Sequence, residues 1–366
     1  MKNKAMLMSL LGALLALTSC RDLTLDPVFY ALEKEQPLED DRGFPDAAIV
    51  HRIVKTGTRY FAAANKLYSR TDGASDTWTV VAPPVPGAMC NTLEVFAGQI
   101  YAGFYDKSIG AGLGLYRSAP DPISWNLLGT GTSSQITLIK AVGSAPPRLF
   151  VATWSGSAYT LSHSTTGDDG DFTTVSWGTA PQADLPIIDV DSNDSYYWVV
   201  VGNAVYRDDL LAGLGTLAVL PAPSSGTATY GGVFLASTGT LYLSGGNGLL
   251  HSSIDGGGTW SSSAVVLDDK DNPVPFAGFA LPASDALAVY VGTRGFGYYR
   301  IPAGDVTGSS GALVRSPAYN ISALYNGAIN CLLYDAGQSR LLLGTAGSGL
   351  WRGDHVSGSE WLWKQE

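Results

Sequence analysis

One sequence pattern recurs seven times along this chain. It consists of an apolar strand, a tight turn with Gly or Asn, and a second strand bearing an aromatic residue or Leu. The copies lie at residues 59–68, 100–117, 149–159, 197–206, 241–250, 289–299 and 341–351. The step between copies is roughly 45 residues, the length of a four-stranded blade. Because radial repetition leaves only short, protected sheet edges, the repeat predicts an all-β, seven-bladed β-propeller of four-stranded antiparallel blades. Six or eight blades are the alternatives.

The segments around these copies supply the other strands of each predicted blade. Apolar runs are expected to form innermost strands at residues 92–96, 135–141, 187–190 and 329–334. Tryptophans are expected to begin most outermost strands, at Trp78, Trp125, Trp177, Trp260, and Trp361 with Trp363. The last predicted strand belongs to the last copy, so we expect the ring to close near the start of the propeller. An N-terminal strand that completes a mixed blade stays an open alternative.

One turn in the fifth copy carries a specific pattern, Ser-x-Asp-x-Gly-x-Thr-Trp. Its defining residues are Ser253, Asp255, Gly257, Thr259 and Trp260. In such a turn, Ser and Asp side chains hydrogen-bond to backbone N–H groups, and glycine adopts backbone angles that a side chain forbids. The tryptophan then packs its ring between layers. The segment resembles the Asp-box, or BNR repeat, of sialidase-like β-propellers.

What this resemblance implies is a fold rather than a reaction. Families with the turn include sialidases, sortilin-type receptor domains and photosystem-assembly propellers, and the turn lies far from the active site in the enzymes that carry it. The resemblance covers about residues 47–366. Because one fold hosts many functions, it implies a propeller domain without naming a ligand.

The N-terminal segment predicts secretion and a lipid anchor. Lys2 and Lys4 precede an apolar run over residues 5–17, which is typical of a signal peptide and too short to span a bilayer. The Leu-Thr-Ser-Cys sequence that ends at Cys20 resembles the bacterial lipobox, in which the cysteine is acylated and becomes the first mature residue. The alternative is an ordinary signal peptide in which Cys20 is unmodified.

These features predict three parts of the chain and a location. We expect a signal peptide at residues 1–19, a lipidated Cys20 with a charged tether over residues 20–46, and the propeller at residues 47–366. Part of the tether, residues 23–32, could add an edge strand. The protein is then anchored through its lipid to a bacterial membrane, on the periplasmic side or at the cell surface.

The charge of the chain excludes one class of partner. The formal net charge is −10, and removal of Lys2 and Lys4 with the signal peptide makes it −12. Without a cluster of Lys and Arg, such a surface argues against nucleic acid, and the membrane is expected to be reached through the lipid alone.

The remaining cysteines, Cys90 and Cys331, lie in apolar runs of blades that are not neighbours. We expect buried free thiols, with a disulfide as the alternative. Two cysteines and four scattered histidines do not form a metal-ligand spacing, so neither a metal nor another cofactor is expected.

Two motifs invite a catalytic or metal-binding interpretation and fail it. The Tyr-Arg-Ile-Pro segment at Arg300 resembles a sialidase motif whose arginine grips a carboxylate, but here it falls in the sixth copy, on a third strand, without the other partners. The acidic run over residues 189–194 resembles half a calcium loop, yet Asp194 replaces the required glycine and Val200 the final glutamate. The chain has no nucleophile elbow, phosphate loop or zinc helix motif. We therefore do not expect an enzyme.

Binding is the remaining expectation. In a propeller, the loops joining second and third strands lie on one face around the channel, together with the connections between blades. The candidate binding residues on that face are Tyr105, Asp106, Lys107, Trp154, Arg294, Phe296 and Tyr325. Exposed aromatics beside arginine suit a protein interface or sugar stacking. We expect a monomeric, non-catalytic scaffold for an envelope protein partner; a carbohydrate-binding protein or sialidase-like glycosidase relative is the alternative.

Overall fold

The computed structural model describes most of the predicted propeller. The described residues are 42–73, 77–129, 134–143, 146–193, 195–209, 216–223, 229–236, 238–263, 265–268, 270–280, 288–302, 314–315, 324, 327–357 and 360–366. The predicted signal peptide, Cys20 and Tyr325 lie outside these ranges. Of the predicted tether, residues 42–46 are described, and Phe44 is buried against the ring of Trp78, 5.3 Å between centroids. The domain boundary at residue 47 stays a prediction.

The first three blades follow the predicted order of strands. Blade 1 contains β1 (Arg52–Thr56), β2 (Arg59–Ala64), β3 (Lys66–Thr71) and β4 (Thr79–Val80). Blade 2 contains β5 (Ala88–Phe96), β6 (Gln99–Asp106), β7 (Ala111–Ser118) and β8 (Asn126–Leu127). Blade 3 contains β9 (Gln135–Val142), β10 (Arg148–Trp154), β11 (Tyr159–Ser164) and β12 (Thr173–Thr174). The short strand β13 (Ser176–Trp177) follows.

The other four blades complete the ring. Blade 4 contains β14 (Ile187–Ser192), β15 (Tyr196–Val201), β16 (Ala204–Asp209) and β17 (Thr216–Val219). Blade 5 contains β18 (Tyr230–Leu235), β19 (Leu241–Gly245), β20 (Leu250–Ser253) and β21 (Ser261–Ser262). Blade 6 contains β22 (Phe276–Ala280), β23 (Ala288–Thr293), β24 (Tyr298–Pro302) and β25 (Val314–Arg315). Blade 7 contains β26 (Ile329–Asp335), β27 (Arg340–Thr345), β28 (Leu350–Ser357) and β29 (Glu360–Gln365).

The seven-bladed, antiparallel prediction is confirmed, because each set of four strands pairs in sequence order within one sheet. The predicted innermost strands are β5, β9, β14 and β26. One expectation about the outer strands is wrong: Trp177 does not begin the outer strand of blade 3. That strand is β12, and Trp177 lies in β13, which pairs in parallel with β17 of blade 4. The tryptophan thereby packs edge-on against Tyr206 of the neighbouring blade, 5.0 Å between ring centroids.

The core is divided among the seven seams between blades, with one buried apolar cluster at each. Successive side chains on a strand point to opposite faces of the sheet. Each blade therefore packs one set of side chains against the blade before it and the other set against the blade after it. In β2, Phe61 packs with blade 2 whereas Tyr60 packs with blade 7. Near-continuous apolar strands result, which is why the inner repeats stand out in the sequence.

The ring closes by contact between blades 7 and 1. The sheet of blade 7 consists of β26 to β29, so among the described strands none from the N-terminal side completes it. Instead, Val50 N donates to Thr345 O at 2.8 Å, and the side-chain amide of Asn330 donates to Val50 O at 3.1 Å. Buried charges also cross this seam, since Glu366 lies 3.3 Å from the guanidinium of Arg70.

Cys90 and Cys331 are buried free thiols, as expected. Burial raises the pKa of each thiol to about 12. Among the described residues, we find no helix that combines the length and apolar character needed to cross a bilayer.

The turn after β20 is held by its own side chains. Ser253 Oγ accepts from Gly257 N and donates to Asp255 Oδ1, both at 2.7 Å. Asp255 also accepts from Thr259 N at 2.8 Å and Thr259 Oγ1 at 2.7 Å, and these bonds lower its pKa to about 2. The two glycines at positions 256 and 257 adopt φ of 70° and 94°, in the left-handed region.

The same turn fastens blade 5 to blade 4. Gly256 O accepts from Trp198 Nε1 at 2.9 Å and from Arg207 at 3.0 Å, both on blade 4. At the seam between blades 2 and 3, Tyr101 Oη donates in the same way to Gly167 O at 3.1 Å. A turn that looks purely local in the sequence therefore also joins neighbouring blades.

Candidate binding face and channel

Six of the seven candidate binding residues share one face of the ring. Tyr105 and Asp106 end β6 and Lys107 follows them, Trp154 ends β10, and Arg294 with Phe296 lies between β23 and β24. Each of these positions joins the second strand of a blade to its third. We call this side the loop face. The seventh candidate, Tyr325, lies outside the described residues.

Some of these residues have structural tasks within their own loops. Asp106 accepts from Ser108 N at 2.8 Å and from Ser108 Oγ at 2.6 Å, and these bonds lower its pKa. Trp154 packs on Tyr159, directly opposite it in the hairpin, with ring centroids 4.5 Å apart. Lys107 is exposed and Trp154 remains half-buried. Of the candidates on these two loops, Lys107 is therefore the exposed one.

A second feature opens on the loop face: the central channel. Six innermost strands carry a β-bulge near their first residues. The bulged residues are Asn91, Thr137, Ile188, Gly231, Asn330 and, in β22, the pair at 277–278. A bulge bends its strand and re-aims the extra side chain. All of these residues line a cavity of about 300 Å³ to which all seven blades contribute.

The walls of this cavity differ in chemistry around the ring. The charged residues on its inner strands, Arg52, Lys140 and Asp189, come from blades 1, 3 and 4. Its two aromatic residues, Phe234 and Phe279, come from blades 5 and 6 and stack at 5.7 Å with an interplanar angle of 21°. One side of the channel is therefore polar and the other apolar.

The charges of the polar side are paired. Arg52 forms an ion pair with Glu94 of blade 2, and although burial opposes its charge, this carboxylate raises the pKa of Arg52. Lys140 Nζ lies 2.9 Å from Asp189 Oδ1 of blade 4. Asp189 Oδ2 also accepts from Val233 N of blade 5 at 3.2 Å. These side chains join blades and carry no surplus charge.

The acidic run that resembles half a calcium loop is used in the same way. Asp191 Oδ2 accepts from Leu235 N of blade 5 at 2.7 Å, and burial raises the pKa of Asp191 to about 6. Asn193 Oδ1 accepts from Ser195 N and Tyr196 N at 2.8 and 2.7 Å, closing the turn before β15. Asp189 and Asp191 hold blade 4 to blade 5, and Asn193 shapes a hairpin. In the part of the chain that the structure describes, no cluster of three or more metal-ligating side chains occurs.

The positions of two arginines, Arg294 and Arg300, bear on whether the channel resembles a sialidase-type site. Arg294 lines the mouth and is exposed, and no described residue pairs with its guanidinium. Arg300 lies in the third strand β24, opposite Tyr290, and is not among the described residues that line the cavity. A sialidase-type site needs several arginines at the channel mouth, and of the two that line it, Arg52 is paired with Glu94.

Sequence reasoning found the loop face but missed most of the channel lining. Lys140, Phe234 and Phe279 were not predicted, because a bulge shifts the side-chain alternation by one residue and hides which face a side chain takes. Arg52 was not predicted either, although β1 pairs with β2 without a register shift. Aligned inner strands could have given a signal. Asn91 and Asn330 occupy the same bulge position in blades 2 and 7.

Comparison with known proteins supports the fold. No protein-family model and no curated protein matches the chain. Among solved structures it is similar to the extracellular domain of BT4673 from B. thetaiotaomicron, at 16% identity and a TM-score of 0.62, covering 83% of this chain and 38% of that domain. It is also similar to YCF48 from Cyanidioschyzon merolae, at 13% identity and a TM-score of 0.58, covering 84% of this chain and 95% of that one.

Two further similarities involve proteins with bound molecules. YCF48 bound to D1 peptide aligns at 10% identity and a TM-score of 0.59, covering 84% of this chain and 92% of that one. A catalytically inactive virginiamycin B lyase from Staphylococcus aureus, with quinupristin, aligns at 11% identity and a TM-score of 0.59, covering 83% and 94%. At these identities the likeness shows the β-propeller fold alone.

Proposed function

We propose that this protein is a lipid-anchored envelope protein whose propeller is a non-catalytic binding platform, with the loop face as its binding surface. The observation that carries the proposal is the set of accessible side chains there. Lys107 and Arg294 are exposed, and Trp154 and Phe296 are half-buried. Aromatic and arginine side chains contribute most to protein interfaces.

The architecture supports this role. Seven separately packed seams hold the loops on a rigid ring, so little ordering is needed when a partner binds. The similar YCF48 structure holds a D1 peptide, and the similar BT4673 fragment is an extracellular domain. Both are compatible with a binding platform outside the cytoplasm, reached here through the predicted lipid on Cys20.

The test is site-specific photo-crosslinking with the full-length chain in its native host. A crosslinker at Lys107 is expected to capture one discrete envelope protein. The double change Trp154→Ala and Phe296→Ala is expected to abolish this capture. Ile254→Ala is the matched control, because Ile254 is 84% exposed but lies between third and fourth strands, on the opposite face. Equal capture by both variants would exclude the loop face as the interface.

The carbohydrate alternative has its own outcome in the same experiment. If the captured material is glycan and free sugar releases it, the protein is a carbohydrate-binding one and not a protein scaffold. Cleavage of a sialoside by the purified protein would reveal the glycosidase alternative. Arg300 is not among the described residues that line the cavity, so under the platform proposal the Arg300→Ala variant behaves like the unmodified protein.

A further inference from the structure

We propose that the channel, which opens on the loop face and shares Arg294 with it, is a second binding site for a small organic carboxylate with an apolar body. The site consists of Arg294 at the mouth and the Phe234–Phe279 pair further in, all lining one cavity. Three properties of the cavity carry the inference: one uncompensated cation, an exposed apolar wall, and a suitable size.

The cation is Arg294. Three of the described cationic side chains, histidine aside, line the cavity, and two are neutralised, Arg52 by Glu94 and Lys140 by Asp189. No described residue neutralises Arg294, so the mouth carries a surplus positive charge in a chain whose formal net charge is −10. A guanidinium binds a carboxylate through two parallel hydrogen bonds, which makes an organic acid the fitting ligand.

The apolar wall is the stacked pair of phenyl rings. Phe234 and Phe279 come from adjacent blades and are half-buried, so part of each ring faces the open channel. Leu332 of blade 7 extends the same wall. An apolar or aromatic group of a ligand that covers these rings removes further apolar surface from water, which favours binding.

The two features lie at a distance that one small molecule can span. Arg294 N donates to Pro275 O at 2.9 Å, and Phe279 lies four residues further along the inner strand. At about 3.3 Å per residue, shortened by the bulge, this separation is on the order of 10 Å, and the arginine side chain bridges part of it. A cavity of about 300 Å³ is at the small end of ligand sites.

The bulge positions beside Arg294 carry small residues. They are Gly231 in blade 5 and Ala277 and Gly278 in blade 6. At Gly231 a side chain cannot be added, since its Cβ would lie 2.2 Å from Phe276 O of blade 6. Glycine is therefore required there for the close approach of blades 5 and 6.

The experiment is isothermal titration of the full-length protein with phenylbutyrate, which has a carboxylate and a phenyl ring. We expect saturable one-to-one binding that weakens as salt is raised. The neutral isostere phenylbutyramide is expected to bind at least about tenfold more weakly, because it lacks the charge-assisted pair with Arg294. Acetate, which lacks the apolar body, is expected to give no saturable binding.

Three variants assign the site. Arg294→Gln and Phe279→Leu are each expected to weaken phenylbutyrate binding about tenfold or more, the first without affecting phenylbutyramide. Arg59→Gln is the matched control, because Arg59 binds Pro120 O in a turn on the opposite face. No saturable binding of phenylbutyrate up to millimolar concentration, equal affinity for acid and amide, or unchanged affinity in Arg294→Gln would each overturn the proposal. None of these measurements needs a protein partner, so their outcome leaves the proposed protein-binding role of the loop face to its own crosslinking test.

Discussion

The indole N–H of Trp78 donates a 2.9 Å hydrogen bond to the side-chain carboxylate of Glu366, 288 positions further along the chain. This bond joins blade 1 to blade 7. The same carboxylate lies 3.0 Å from Arg352 and 3.3 Å from Arg70, and all four side chains are buried. At the closing seam, Glu366 is thus held by Arg352 of its own blade and binds Arg70 and Trp78 of blade 1.

Glu366→Gln tests how much this shared acid contributes. The amide can still accept from Trp78, but Arg70 loses its charge partner while staying buried, whereas Arg352 keeps Asp354 at 3.2 Å. A buried charge left unpaired in this way lowers the free energy of unfolding by about 3–5 kcal/mol. Urea denaturation measures the change. Asp121→Asn is the control, because Asp121 pairs with Arg59 at 3.5 Å but is 76% exposed and should have almost no effect. Equal effects of the two changes would contradict the prediction.

The burial of His251 is expected to make the free energy of unfolding depend on pH. This residue is buried, its Nδ1 lies 2.8 Å from Ser262 Oγ, and burial lowers its pKa to about 4 from the ordinary histidine value of 6.5. The unfolded chain therefore takes up a proton first. The stability that this histidine contributes is complete above pH 6.5 and declines as the pH falls towards 4, by about 1.4 kcal/mol per pH unit.

The measurement is the free energy of unfolding of the unmodified protein and of His251→Gln at several values of pH across that window. The difference between the two proteins is expected to shift in favour of the variant as the pH falls. His355→Gln is the control, since its ring is only partly buried, against Trp361. A difference independent of pH would show that His251 does not titrate as described.

Gly257→Ala tests the turn that joins blades 4 and 5. Its φ of 94° is strained for alanine, and a Cβ would lie 2.5 Å from Leu220 and 3.3 Å from Trp260. Gly239→Ala is a matched control, since its φ is 85° and nothing lies within 4 Å of the added carbon. Both should lower the melting temperature, and Gly257→Ala clearly more. Similar losses would mean that backbone strain alone, without crowding, decides the effect.

Cys20→Ala tests the predicted anchor. If the cysteine is acylated, the unmodified protein sediments with membranes and incorporates labelled palmitate, whereas the variant loses the label and is recovered in the soluble fraction. Cys20 lies outside the predicted propeller, so we expect the melting temperature of the soluble variant to match that of the unmodified protein. Membrane association without a label would refute lipidation.

The fold could be predicted from the sequence because burial at every seam imposes the same pattern seven times. Tyr60 and Phe61 show the cause, since they are adjacent and each is needed by a different neighbouring blade. The pairing of Trp177 with blade 4 could not be predicted, because it depends on a contact between distant outer strands.

The candidate site was predictable only in part. Arg294 stands in a loop whose position follows from strand order, so its place on the loop face could be predicted. Lys140 and Asp189 lie on different blades, and their ion pair arises only when two bulged inner strands come side by side at the seam between blades 3 and 4. Neither segment contains a sequence pattern that predicts this ion pair.

The closing seam between blades 7 and 1 affects how the ring folds and how it unfolds. At the other six seams the blades follow one another in the chain, so a short connection already keeps them together. Blades 7 and 1 have no such tether: Glu366 and Trp78 meet only after almost the whole polypeptide has been arranged, and the entropy lost in closing so long a loop must be recovered by contacts alone. This seam is therefore where the ring would part first under denaturant or mechanical load. A protein that opens there becomes a string of still-paired blades rather than a random chain.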